Sequence, residues 1–209
     1  MDSNTQERRL AELKSAAMTA YPETVTHEYG DALFSSYPGG RPYPTADHMR
    51  TQLSVGKPMF LLPCGPYFTG EFFGFGDQLP MDPLVSRGFR HGVSDCWALY
   101  RDWWRDRGRV MKVYPRDWGW WRSGYRMIEE YAIHDFDCLD TQAPREGDLV
   151  MWAFGAEPHI QHTSVYLSEG MTLHHTSRRG RPLDLLSLSE VVPLDKMPGR
   201  VHSIWRPKE

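Results

Sequence analysis

The strongest periodicity in the chain begins at Cys96. Cys96, Leu99, Tyr100, Trp103 and Trp104 recur at i, i+3, i+4, i+7 and i+8, which is one apolar face of an amphipathic helix. Ser94 and Asp95, just ahead of it, are residue types that cap helix N-termini, and Gly108 supplies a C-terminal stop. Leu10, Leu13, Ala17 and Ala20 keep helical spacing and predict a helix over 6–20 that Pro22 ends. Helices are also predicted over 45–53 and 125–133. Short apolar or alternating runs at 25–29, 59–62, 149–154, 162–167, 171–175, 191–193 and 201–205 predict strands. Glu169-Gly170 reads as the tight turn of a hairpin between two of them. Pro38 to Pro44 is a loop, as is 157–161, and 110–123 is a long irregular segment rich in Trp, Arg and Gly. The run 71–76 is aromatic and glycine-rich, as at a docking surface or hairpin. Met81-Asp82-Pro83 looks like a linker, so the chain divides near residue 85 into an N-terminal segment, 1–85, and a domain, 86–209. In that domain a helix precedes an antiparallel meander, which is an α+β architecture.

Composition narrows the function classes. The 209 residues carry a formal net charge of -3 and a mean hydropathy of -0.56, with no basic excess to suggest nucleic acid. No apolar run approaches the roughly 20 residues that a membrane span requires. Met1 to Leu10 is polar and charged, without the apolar core of a signal peptide. Cys64, Cys96 and Cys138 form no CxxC pair, against a disulfide scaffold or a four-cysteine zinc site. His159, His162, His174 and His175 have no carboxylate or cysteine at ligand spacing beside them, so no metal is expected. Eight tryptophans are unusual for this length. Trp103 and Trp104 read as core by their period, whereas Trp118, Trp120 and Trp121 could face a glycan or a partner.

Cys96 stands in the first turn of its helix, where the dipole and unpaired N–H groups favour an anion. A thiol there is expected to ionise more readily and to serve as a nucleophile; the alternative is a small apolar residue packed under the helix. A cysteine nucleophile needs a base and a group that orients the base. His162 opens one strand and His174 lies twelve positions on, across the hairpin, so the two fall side by side. Asp95 reads as an N-cap, and Cys64 and Cys138 as inert thiols. His91 and His134 read as structural or solvated residues, His175 as a surface or packing residue, and Arg178-Arg179-Gly180-Arg181 as a solvated basic loop or a site for a substrate carboxylate.

These segments resemble the NlpC family of cysteine peptidases of bacterial cell-wall metabolism. The matching residues are Asp95-Cys96 before a helix, Gly147-Asp148-Leu149-Val150, His162-Thr163-Ser164-Val165-Tyr166-Leu167 and Leu173-His174. Phe89 to Trp121, with Tyr114-Pro115 and Trp120-Trp121, is similar to the peptidase half of tail tip proteins of long-tailed phages. The resemblance implies a papain-like fold with the cysteine helix packed on an antiparallel sheet. It implies Cys96 as nucleophile, His162 as base and His174 as orienting residue, without a cofactor. It implies Asp95, Phe89, Trp97, Trp120 and Trp121 as substrate contacts, and cleavage of peptidoglycan stem peptides at the D-γ-glutamyl–diamino acid bond. Other tail tip or hub proteins are the implied partners and the virion tail tip the implied location, after synthesis in the host cytoplasm. The chain departs from the family pattern at Arg145-Glu146, a small insertion, at Thr163-Ser164, and at Phe89, where many relatives carry a tyrosine. The phenolic half of an oxyanion site is then missing, and the Cys96 backbone N–H is expected to serve.

A fainter resemblance lies in the N-terminal segment. Ser35-Ser36-Tyr37-Pro38, a spacer, then Thr45-Ala46-Asp47-His48 keeps the framework of a JAMM-type zinc peptidase motif with its ligand positions replaced by Ser35, Tyr37 and His48. Such a set offers one good zinc ligand where three are needed, which implies a metal-free remnant kept for docking.

Overall fold

The computed structural model describes residues 3–21, 23–66, 68–123, 126–140, 143–156 and 159–209. Pro22, Tyr125 and Glu157, named above at element boundaries, lie outside them. The chain forms two compact units, Met1–Met81 and Asp82–Glu209. No helix among the described residues is long and apolar enough to cross a membrane.

The first unit sets helix α1 (Ser3–Ala20) on a five-stranded sheet of β1 (Thr26–Tyr29), β2 (Ala32–Pro38), β3 (Met59–Gly65), β4 (Phe68–Thr69) and β5 (Phe73–Phe75). Leu13 and Ala17 of α1 pack with Phe34, Leu62 and Cys64 from the sheet. β2 and β3 run parallel, joined by α2 (Ala46–Val55) as a crossover. Thr45 caps α2 in a capping box with His48, and Gly56 ends it in the left-handed region at φ 69°. The rings of Tyr37 and His48 meet edge to face at 4.6 Å. β2 went unpredicted. Leu33, Phe34, Ser35 and Ser36 are all buried, so the strand lacks the alternation that marks a half-exposed one.

The second unit is built on a six-stranded sheet. Its strands follow β6 (Gly88–Arg90), helix α3 (Cys96–Arg105), a 3-10 turn at Trp120–Ser123 and helix α4 (Met127–Asp135). They are β7 (Phe136–Leu139), β8 (Leu149–Ala153), β9 (His162–Tyr166), β10 (Met171–His174), β12 (Glu190–Pro193) and β13 (Arg200–Pro207), with β11 (Leu183–Leu188) outside the sheet. The order is β12-β10-β9-β8-β13-β7, antiparallel throughout. β11 instead pairs with β6 in a separate two-stranded sheet. The α3 face buries Trp97, Leu99, Tyr100 and Trp103 with Leu149, Met151, Val165 and Leu173 of the sheet. The tight turn is confirmed in its backbone: Glu169 and Gly170 both have positive φ, 58° and 73°, as a type I′ hairpin requires.

Gly147-Asp148 is an anchor. At Gly147 φ is 89°, and a Cβ there would come within 2.7 Å of Trp104 and 3.0 Å of Trp103. Its carbonyl accepts from the Tyr100 hydroxyl at 3.0 Å. The buried Asp148 carboxylate accepts from the Arg145 N–H at 2.7 Å and from Arg206 Nε and Nη2 at 2.8 and 2.7 Å. One dipeptide thus fixes α3, the turn into β8 and the end of β13. Gly147→Ala is expected to cost about 2 kcal/mol, from backbone strain and overpacking together. Denaturant unfolding checks this: a loss under about 0.5 kcal/mol would show that the two indoles give way.

Candidate active site

The site grows from the cap of α3. Asp95 is extended, φ -95° and ψ -171°, and its Oδ1 accepts from the Ala98 N–H at 3.0 Å. Its Oδ2 accepts from the Gly92 N–H at 2.7 Å, and His91 Nδ1 stands 3.4 Å away. Arg116 Nη2 donates to both carboxylate oxygens. Arg116 is itself held by Nη1 to the Tyr114 carbonyl at 2.8 Å, and its own carbonyl lies 3.2 Å from His91 Nε2. Asp95 is 2% exposed and Arg116 5%. Burial alone would raise the Asp95 pKa; the Arg116 and His91 partners outweigh it and hold the carboxyl well below its ordinary range.

Cys96 therefore opens α3 on a cavity of about 210 Å³ that Phe89, Trp118, Trp120, Trp121 and His162 help to line. The residue as a whole is half-buried. The expectation of a readily ionised thiol at the helix head is corrected by the surroundings. Burial, then the adjacent Asp95 charge, push the Cys96 pKa up, against smaller pulls from Arg116 and the Thr163 backbone. A local dipole of about half a charge does not offset a whole carboxylate at the neighbouring residue together with desolvation. Cys138, expected to be inert, is exposed on β7, while Cys64 is buried; burial and Asp140 raise the Cys138 pKa.

His162 opens β9, 2% exposed. Register pairs Trp152 with His162 and Ser164 with His174, so both histidines project from one face of the sheet. Their rings meet edge to face with centroids 5.6 Å apart. Of the two, His162 is the one that lines the cavity. His162 Nε2 and His174 Nδ1 are buried with no hydrogen-bond partner among the described residues. His174 Nε2 stands 3.8 Å from Glu190 Oε1, which Arg178 also holds, at 3.2 Å. Burial, then His174 and His175, depress the His162 pKa well below the usual imidazole range, against Asp95. That direction favours the neutral ring.

Of the residues expected to contact substrate, Phe89, Asp95, Trp97, Trp120 and Trp121 all border the cavity. Asp95 is committed to the cap and Arg116. Trp97 is committed to the core, stacked on Tyr114 at 4.5 Å with its Nε1 donating to the Lys112 carbonyl. Phe89 packs against His175 at 5.2 Å and Trp118 at 6.2 Å. Trp118 and Trp120 meet Trp121 edge to face. Sequence reasoning missed Arg116 altogether, and it left His91 and His175 outside the site although both line the cavity. The Ser164 departure has a structural reason: its hydroxyl joins the Trp152 indole and the Thr172 hydroxyl, each at 2.7 Å.

A family model described as the NlpC/P60 family matches residues 73–193. The chain belongs to the NlpC/P60 family. Among curated proteins, the tail tip assembly protein K of Escherichia phage lambda is 29% identical over 184 residues, 84% of this chain and 80% of that protein. The protein of the same name from Escherichia phage N15 is 32% identical over 100 residues, 44% of this chain and 39% of that one. Among solved structures, NlpC2 from Trichomonas vaginalis is similar at 13% identity with a TM-score of 0.39, over 66% of this chain and 56% of that chain. Cys96, His162 and His174 all fall inside the NlpC/P60 region.

The buried imidazoles make stability depend on pH. His162, His174 and His175 all have lowered pKa values, in each case chiefly through burial. The unfolded chain takes up protons first, near pH 6.5, so stability is full above that value and is lost as pH falls through and below it. Asp95, whose pKa is lowered, adds its loss only below about pH 4. The denaturant midpoint is expected to be level above about pH 7.5 and to fall between about pH 7 and 5. A level profile down to pH 5 would show that the rings protonate freely in the folded protein.

Proposed function

We propose that this NlpC/P60 protein is a thiol peptidase of a phage tail tip that cleaves peptidoglycan stem peptides, at the D-γ-glutamyl–diamino acid bond. The observation that carries the reading is the shared cavity: Cys96 at the head of α3 and a neutral His162 at the start of β9 open on the same space. His162 takes the Cys96 proton, and the thiolate attacks the amide carbonyl. The Cys96 backbone N–H, in the first turn of α3, receives the developing oxyanion. The protonated His162 then gives its proton to the leaving amine, and water hydrolyses the thioester. In this reading His174 orients His162 by packing, the two rings meeting edge to face with centroids 5.6 Å apart. Because the Cys96 pKa is raised and that of His162 lowered, the resting pair is uncharged and proton transfer accompanies attack.

The similarity to the two tail tip assembly proteins supports placement at the virion tail tip beside other tail proteins. In this reading the N-terminal segment, 1–85, is a metal-free JAMM-like remnant that docks there; the Tyr37–His48 contact supports it. The raised thiol pKa also favours a second reading, an assembly protein whose peptidase fold is latent. Purified protein on muropeptides of the diamino acid type separates the two. Cleavage is expected, abolished by Cys96→Ala and reduced at least about 100-fold by His162→Ala. No cleavage by the wild-type protein, or equal cleavage by Cys96→Ala, refutes the peptidase and leaves the assembly role.

A further inference from the structure

Arg116 and Asp95 are the two permanently charged side chains among the described residues that line the cavity. Their pairing is more than a helix cap requires. A neutral Ser, Thr or Asn caps an α-helix as well as Asp does, and a buried ion pair is weak evidence for stability. What an aspartate does here, and a neutral cap would not, is place a full negative charge next to Cys96. That charge opposes the thiolate. The guanidinium that closes on both carboxylate oxygens comes from residue 116, in a segment without helix or strand, and is buried there.

We propose that Arg116 is a positioning residue for the nucleophile: by closing on the Asp95 carboxylate at the head of α3, it cancels the negative charge nearest to Cys96 and allows the thiolate to form. The inference rests on Cys96 being the nucleophile. The other titratable groups at this place are imidazoles and the Tyr114 phenol, whose pKa burial pushes up. His91 approaches Asp95, and His162 and His175 line the cavity. The last two have lowered pKa values and add no positive charge near neutrality. The Arg116 cation acts on Cys96 in the direction opposite to Asp95.

The test is alkylation of the full chain by iodoacetamide, in which the thiolate displaces iodide, followed from about pH 6 to 11, with variants compared as rates at matched pH on the acid side, where the rate is proportional to the thiolate fraction. Peptide mass spectrometry reads Cys96 separately, with the exposed Cys138 as internal reference. Arg116→Gln is expected to move the Cys96 midpoint up by about one pH unit, an approximately tenfold slower reaction on the acid side. Arg116→Lys restores most of the shift. The double variant Asp95→Asn/Arg116→Gln, which keeps a capping side chain and removes both charges, returns to the wild-type midpoint or below it. Where Arg116→Gln alone does not fold, the double variant decides. A wild-type profile in folded Arg116→Gln, or a double variant whose midpoint lies above the wild type, overturns the inference. Because the readout needs no peptide turnover, failure of the peptidase reading appears separately, as absent muropeptide cleavage with the charge dependence intact.

Discussion

A carboxylate out of water at the head of a helix is the constraint from which the second unit is organised. Asp95 is held by Gly92, Ala98, His91 and Arg116 together. The magnitudes separate its two roles. Losing an N-cap costs about 1 kcal/mol, whereas removing one partner of a buried ion pair costs about 3–5 kcal/mol. The larger figure belongs to the link between α3 and the segment around Arg116, so that link, more than the cap, gives 110–123 a fixed course. Trp118 and Trp121 follow Arg116 closely in sequence and line the same cavity. The aromatic wall is therefore tied to the cap that aims Cys96.

The second constraint is register. His162 stands opposite Trp152 and His174 opposite Ser164, and a slip of one residue would turn an imidazole to the other face of the sheet. The type I′ turn at Glu169-Gly170 limits slippage on one side of β9. On the other, Asp148 clamps the start of β8 to Arg206 of β13, and the Tyr166 N–H donates to the Asp148 carbonyl at 2.9 Å. The Gly-Asp of the family-like motif thus has structural work throughout. Its glycine admits the Trp103 and Trp104 rings, and its aspartate binds strands together.

Local signals explain what could be read from the sequence. The α3 face, the α1 spacing and the Glu169-Gly170 turn are all short-range patterns, and each appears in the structure. Strands without alternation, such as β2, or with partners far along the chain, such as β6 and β11, left no such pattern. The candidate residues divide in the same way. Cys96, His162 and His174 sit in local motifs; Cys96 and His162 line one cavity, and the His162 and His174 rings meet edge to face. Arg116 lies in an aperiodic stretch, and its importance comes from a carboxylate 21 positions away. The thiol differs for a related reason: the helix-head rule counts the backbone of one turn, while burial and the cap's own charge act through space and push the Cys96 pKa up.

These electrostatics bear on the proposed chemistry. Arg116 offsets part of the Asp95 charge felt at Cys96, and burial beside two other imidazoles lowers the His162 pKa. Those directions favour an uncharged thiol and imidazole, and in the proposed reaction moving a proton between them creates two charges in a partly desolvated site, where each is costly but attracts the other strongly. Close approach of the pair is then the decisive variable. Displacing either ring removes the attraction while the desolvation cost remains. The placing of α3 by Asp95 and Arg116, and of the His162 ring by its packing against His174, consequently matters more in this cavity than it would on an exposed surface. There, water would stabilise the separated charges whatever their geometry.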